Sequence, residues 1–220
     1  MMKFISLIHS SSTALVRLIL LSGGLISLIL STTFATAADA PSHKILILGD
    51  SLSAAYGIRQ QDGWAYLLQT ALADRAIIIN ASVSGETTAG GVQRLPRLIK
   101  EHQPNIVVIE LGGNDGLRGY PASGIRKNLQ TLISKSMDAD AKVLLIGMQI
   151  PPNYGKRYTD AFAQNYVQLA DKYTLALVPF LLESVAGKPA LMQRDGIHPT
   201  AEAQPLILQN VLPTLRAMLD

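Results

Sequence analysis

The sequence predicts an α/β protein, a single three-layer α/β/α domain built on a five-stranded parallel sheet. Three observations carry that expectation. From Lys44 onward, short β-rich apolar runs alternate with longer stretches of helical character, the order of successive βαβ units. The apolar runs are near-continuous rather than alternating, as in strands covered on both faces. The chain of 220 residues holds one ordinary domain, and residues 38–220 contain no internal repeat or low-complexity linker.

The strands are expected at 44–49 (KILILG), 76–82 (AIIINAS), 105–111 (NIVVIEL), 142–148 (KVLLIGM) and 175–179 (LALVP). Between them, helices are expected at 63–74 behind Asp62 as N-cap, at 88–102 with an interruption at Pro96, at 123–138, at 156–173, and at 201–218. Right-handed crossovers then place helices on both faces of the sheet. In such a sheet the ligand crevice lies beyond the carboxyl ends of the strands, so the residues there are the ones to search for chemistry.

Residues 1–37 read as a secretory signal peptide. Lys3 and Arg17 precede the charge-free core LILLSGGLISLIL at 18–30, and Ala35-Thr36-Ala37 offers a small-x-small cleavage site. The charge-free run from Leu18 to Ala38 is also long enough for an uncleaved anchor. Ser22, Gly23, Gly24 and Ser27 within it, and Ser31-Thr32-Thr33 after it, weigh against that reading. The expectation is a domain of residues 38–220 in the periplasm or secreted, a monomer with no stable membrane insertion once the signal is cleaved.

Composition excludes several classes of function. The chain has no cysteine, which removes disulfides, zinc ribbons, iron–sulfur clusters and thiol catalysis. Its net charge of +3 comes from 19 basic against 16 acidic residues, and two of the basic ones lie in the signal segment. No Lys/Arg run remains that could track a phosphate backbone, so no nucleic-acid partner is expected. There is no HExxH, and the histidines are scattered, so neither a metal nor a cofactor is expected.

Small and polar residues gather at the predicted strand ends: Gly49-Asp50-Ser51-Leu52-Ser53 after the first, Ser84-Gly85 after the second, and Gly112-Gly113-Asn114-Asp115 after the third. Asp195-Gly196-Ile197-His198-Pro199 precedes the last helix. His43 and His102 read as surface residues. His198 stands three positions after Asp195, a spacing at which the carboxylate can accept the imidazole N–H and fix its tautomer; the same pair also suits a helix cap or a surface ion pair. Ser51 sits where a hydroxyl would be exposed at the crevice beside a helical turn, and equally where a turn or N-cap serine belongs. Asp50 invites a reading as phosphoacceptor or metal ligand, but no acidic pair precedes it. Gly85 and Asn114 can offer donors to the same spot or serve as ordinary turn residues. Leu52, Tyr56, Leu117, Tyr120, Ile150, Pro151, Pro152 and Tyr154 lie near the crevice and suit either an acyl chain or the packing of its rim.

Taken together, GDSL at 49–52, Gly85 in SGETTAGG, GGND at 112–115 and DGIHP at 195–199 resemble, in order, the four blocks of the SGNH hydrolases, also called GDSL-type esterases. The stretches GDSLSAAYG, MQIPPNYGKRY and MQRDGIHP are similar to the periplasmic bacterial branch of that family described as thioesterases, lysophospholipases and arylesterases. The resemblance implies a flavodoxin-like SGNH-hydrolase fold. It implies a serine esterase or thioesterase acting on acyl esters and thioesters such as lysophospholipids, acyl-CoA and aryl esters. Ser51 would be the nucleophile, His198 the general base and Asp195 its orienting carboxylate. The oxyanion hole would be formed by Ser51, Gly85 and Asn114. Residues 116–121 and 149–155, with Leu117, Tyr120, Pro151 and Tyr154, would line the acyl chain. A carbohydrate O-acetyl esterase and a non-catalytic periplasmic binding module remain as alternatives.

Overall fold

The computed structural model describes residues 43–220, and the expected signal peptide lies outside them. Five parallel strands, β1 (His43–Gly49), β2 (Ala76–Asn80), β3 (Ile106–Glu110), β4 (Lys142–Ile146) and β5 (Ala176–Val178), form one sheet in the order β2-β1-β3-β4-β5. This is the flavodoxin-like doubly wound order, in which the winding reverses between β1 and β3 and opens a crevice at their carboxyl ends. The register pairs Ile45 with Ile106 and Gly49 with Glu110, so the two central strands end side by side.

Among the described residues six α-helices surround the sheet: α1 (Trp64–Ala71), α2 (Thr88–His102), α3 (Gly113–Leu117), α4 (Ala122–Met137), α5 (Lys156–Tyr173) and α6 (Gln204–Leu219). Helix α1 packs with α6, whereas α4 packs with both α2 and α5, which gives the three layers. Ile45 to Leu48, Val107 to Ile109 and Leu144 to Ile146 are fully buried, and the core closes on them with Trp64, Leu68, Leu95, Leu129, Phe162, Leu169 and Ile207.

Several sequence expectations need correction. Burial on both faces holds for β1, β3 and β4, but β2 is an edge strand: Ala76 alone is buried and Ile77 is exposed. As a strand it ends at Asn80, although the Ala81 and Val83 N–H groups still donate to the Ile47 and Gly49 carbonyls of β1. Asp62 does not cap α1; it ends a short 3-10 turn and pairs with Arg59 at 2.8 Å, leaving Gly63 as the cap. Pro96 does not interrupt α2, which runs unbroken through it. The ring faces solvent, where the carbonyl that loses its helical donor can be met by water. The last helical stretch divides into a 3-10 turn at Ala201–Ala203 and α6.

Candidate active site

The site assembles where β1, β2 and β3 deliver their carboxyl ends and the 191–200 loop closes over them. Beyond β1 the chain turns tightly: Ala54 N–H donates to the Asp50 carbonyl and Tyr56 N–H to that of Ser51, while Leu52 N–H donates to Asp50 Oδ1 at 3.0 Å. Ser51 is thereby held at the head of the turn. The turn packs this closely because residue 49 is glycine. A Cβ there would lie 2.6 Å from Glu110 Oε2 and 2.8 Å from the hydroxyls of Ser53 and Ser82.

His198 and Asp195 reach Ser51 from a closed loop. Thr200 N–H donates to the Leu191 carbonyl and Gln193 N–H to that of His198, and the two amide hydrogens of Gln193 reach the carbonyls of Pro199 and Tyr56. The loop is therefore pinned to the segment that follows the serine turn. His198 Nε2 lies 2.9 Å from Ser51 Oγ, and His198 Nδ1 lies 2.6 Å from Asp195 Oδ2. Asp195 Oδ1 meanwhile accepts the N–H groups of Ile197 and His198. One carboxylate thus holds the N–H groups of the turn with one oxygen and the imidazole with the other. The N–H of His198 contributes most to holding the Asp195 carboxyl down at about 2, against the raising effect of partial desolvation. Tyr56 lies against the imidazole with ring centroids 4.4 Å apart and planes tilted by 39°, which limits rotation of the His198 ring.

The two other blocks converge on the same corner. Gly85 has φ +79° in a turn closed by Glu86 N–H on the Val83 carbonyl, the pattern of a type II turn that requires glycine at its third position. That turn is tied to α3 twice. Arg118 donates to the Gly85 carbonyl at 3.2 Å, and Asp115 accepts both the hydroxyl and the N–H of Thr88 at 2.6 and 2.9 Å. Among the described residues, neither the N–H of Ser51 nor that of Gly85 is engaged by a protein acceptor. Asn114, in the first turn of α3, donates from Nδ2 to Asp50 Oδ2 at 3.0 Å. A hydroxyl paired with an imidazole, together with unengaged N–H groups and a fixed amide, is a set of groups that can attack a carbonyl and stabilise the resulting oxyanion.

The candidate acyl-contacting residues divide. Tyr154 O–H donates to the Leu117 carbonyl at 2.8 Å, and Tyr158 O–H to the Tyr120 carbonyl at 2.6 Å, so the 116–121 and 151–158 segments form one wall. Tyr120, Pro151, Pro152 and Tyr154 are exposed on it. Leu52 and Ile150 instead belong to the buried core, where Ile150 packs against the Cα of Gly116. Among the described residues, no group of His, Asp or Glu side chains is placed to hold a metal ion.

Sequence reading missed Glu110, Asp115 and Gln193. Glu110 was legible as the one acid in an otherwise apolar strand run. Fully buried, it accepts Asp50 N–H at 3.1 Å and the Ser53 hydroxyl at 2.6 Å. Burial first, and then the charge of Asp50, push the Glu110 carboxyl well above the usual carboxylate range. Burial likewise raises Asp50 to about 6, against the lowering effects of Leu52 N–H, the Asn114 amide and His198.

The chain is also similar to known proteins. Residues 47–205 match the GDSL-like Lipase/Acylhydrolase family. The chain is 49% identical to Esterase TesA of Pseudomonas aeruginosa, over 92% of this chain and the whole of that one. It is 46% identical to an arylesterase of Vibrio mimicus, over 87% and 96% of the two chains. It is 42% identical to Thioesterase 1/protease 1/lysophospholipase L1 of Escherichia coli K12, over 88% and 91%. Among solved structures, esterase EstA of Pseudoalteromonas sp., inhibited by monoethylphosphonate, superposes with a TM-score of 0.77 at 43% identity, covering 80% of this chain and 98% of that one. AlinE4, an SGNH-hydrolase family esterase, superposes with a TM-score of 0.68 at 39% identity, covering 82% and 98%. With the strand order, the four sequence blocks and these matches in agreement, the chain belongs to the GDSL-like lipase/acylhydrolase family of SGNH hydrolases.

Proposed function

We propose that this chain hydrolyses acyl esters and thioesters in two steps through an acyl-serine intermediate, with Ser51 as nucleophile, His198 as general base and Asp195 as its orienting carboxylate. Membership in the family and the esterase, arylesterase and thioesterase names of its relatives make it a carboxylic-ester and thioester hydrolase. The observation that carries the residue assignment is the unbroken relay from Asp195 Oδ2 through both imidazole nitrogens to Ser51 Oγ. His198 removes the Ser51 proton as Oγ bonds to the substrate carbonyl carbon, and the carbonyl electron pair moves onto oxygen. Ser51 N–H, Gly85 N–H and the Asn114 amide hold that oxyanion. When the tetrahedral adduct collapses, the alkoxide or thiolate departs with the proton from His198. Water, deprotonated by the same imidazole, then releases the acid and restores the serine.

The substrate class we assign is a fatty acyl ester or thioester, with its chain along Leu117, Tyr120, Pro151 and Tyr154. The signal-peptide layout of residues 1–37 supports action in the periplasm or outside the cell. Coenzyme A thioesters are scarce there, so a lysophospholipid or another lipid or aryl ester is the natural substrate. A chain-length series of p-nitrophenyl esters on the purified protein tests this: medium and long chains should turn over well. Cleavage of acetate alone would indicate an O-acetyl esterase instead.

A further inference from the structure

The mechanism uses Ser51, Asp195 and His198 but leaves unassigned the two buried carboxyl groups beneath the serine turn, Asp50 and Glu110. Their surroundings differ. Glu110 Oε2 braces the turn from below through Asp50 N–H and the Ser53 hydroxyl. Asp50 faces the other way, with Oδ1 on Leu52 N–H and Oδ2 on the Asn114 amide. We infer that Asp50 is a positioning residue whose carboxylate dictates which end of the Asn114 amide is presented to the substrate oxyanion.

Donor and acceptor chemistry distinguishes the two ends of the amide. An asparagine amide is broad and roughly two-fold in its last torsion, so its NH2 and carbonyl ends exchange at small cost unless a neighbour distinguishes them. An ionised carboxylate only accepts. With Asp50 Oδ2 3.0 Å from Nδ2, the NH2 end is fixed in place and its second N–H remains for another acceptor. The opposite orientation would set the Asn114 carbonyl against Asp50 Oδ2 and turn a repelling oxygen toward the developing negative charge. Asp50 is also held rigidly: it is buried, and Glu110 and Leu52 fix its backbone and its other oxygen. A carboxylate kept ionised at a buried position at some cost to the fold is well suited to that task, because a protonated or amide side chain would satisfy either orientation of Asn114.

This inference rests on the oxyanion role assigned to Asn114, and a double-mutant cycle separates the two. Asn114→Ala alone should lower kcat on the order of 10²–10³-fold. Asp50→Asn alone should lower kcat about ten- to a hundredfold with KM within about twofold, since the interaction acts in the transition state. In the Asn114→Ala background, Asp50→Asn should cost less than about twofold more. An unchanged kcat in Asn114→Ala would overturn the oxyanion role itself. A large effect there, with Asp50→Asn costing equally in both backgrounds, would overturn only the positioning role. Should Asp50→Asn not fold, the unmodified enzyme still decides. The Asn114 amide proton that faces Asp50 should resonate downfield of its position in a free asparagine amide and exchange slowly with solvent, and a free-amide shift with fast exchange would contradict the assignment.

Discussion

His198 Nε2 and Ser51 Oγ lie 2.9 Å apart although 147 positions separate them in the chain. Two different constraints bring them together. Ser51 is fixed by the sheet, at the end of a central strand whose register with β3 places Glu110 beneath the turn. His198 belongs to no strand and no helix; its place depends on the hydrogen bonds that close the 191–200 loop and tie it to Tyr56.

Gln193 makes that tie, so Gln193→Ala should loosen the base without touching the nucleophile. The two lost amide bonds leave the carbonyls of Tyr56 and Pro199 without these donors. A displacement of the imidazole by about 1 Å costs on the order of a hundredfold in rate, so kcat should fall about ten- to a hundredfold with KM little changed. Steady-state kinetics of the variant measure this, and wild-type kcat would remove Gln193 from the alignment of the site.

Asp195 makes stability depend on acid. Its folded-state pKa, lowered to about 2 from 3.8, lies below that of the unfolded chain. Its stabilising contribution is therefore present above about pH 4 and is lost as pH falls toward 2. Asp195→Asn should lower Tm at pH 6 and make progressively less difference between pH 4 and pH 2. Thermal denaturation across that range measures it, and a constant difference would mean the carboxylate is not stabilised by its loop.

Asp50 has the opposite sign. Burial raises its pKa to about 6 from 3.8, so the folded protein binds this proton more tightly than the unfolded chain. The associated stabilisation is complete below about pH 4 and disappears as pH rises through 6, leaving a cost at neutral pH. Asp50→Asn should accordingly raise Tm at pH 7–8 relative to the unmodified enzyme, with a smaller gain or none at pH 4, while its activity falls. A stability exchanged for function in this way is common at active sites. Thermal melts at the two pH values provide the check, and a loss of Tm at pH 8 would contradict it.

Much of this was legible in the residues, for physical reasons that differ by element. The central strands show as continuous apolar runs because both faces are covered, and α5 was expected at its observed limits, with Gly155 ahead of it and Thr174 in the left-handed conformation closing it. The pairing of Asp195 with His198 is local and visible as a spacing. What was not legible depends on partners distant in sequence. Gln193 resembles any loop glutamine until its amide is seen on Tyr56, 137 positions away. Asp115 looks like turn chemistry until Thr88 is placed against it. Leu52 and Ile150 seemed suited to a crevice, yet tertiary packing draws both into the core. In the sequence the short helix α3 looks like a strand-end turn, because Gly-Gly-Asn-Asp-Gly carries no helical periodicity; Gly112, in a left-handed conformation with φ +118°, stands at its start.

The proposed chemistry depends on Ser51 as the nucleophile, activated by His198. A fluorophosphonate probe, with the labelled residue mapped by mass spectrometry, tests it most directly. A single adduct on Ser51 is expected, with no labelling and no ester hydrolysis in Ser51→Ala and strongly slowed labelling in His198→Ala. An adduct on another residue, or a Ser51→Ala protein that still hydrolyses p-nitrophenyl esters at the original rate, would contradict it.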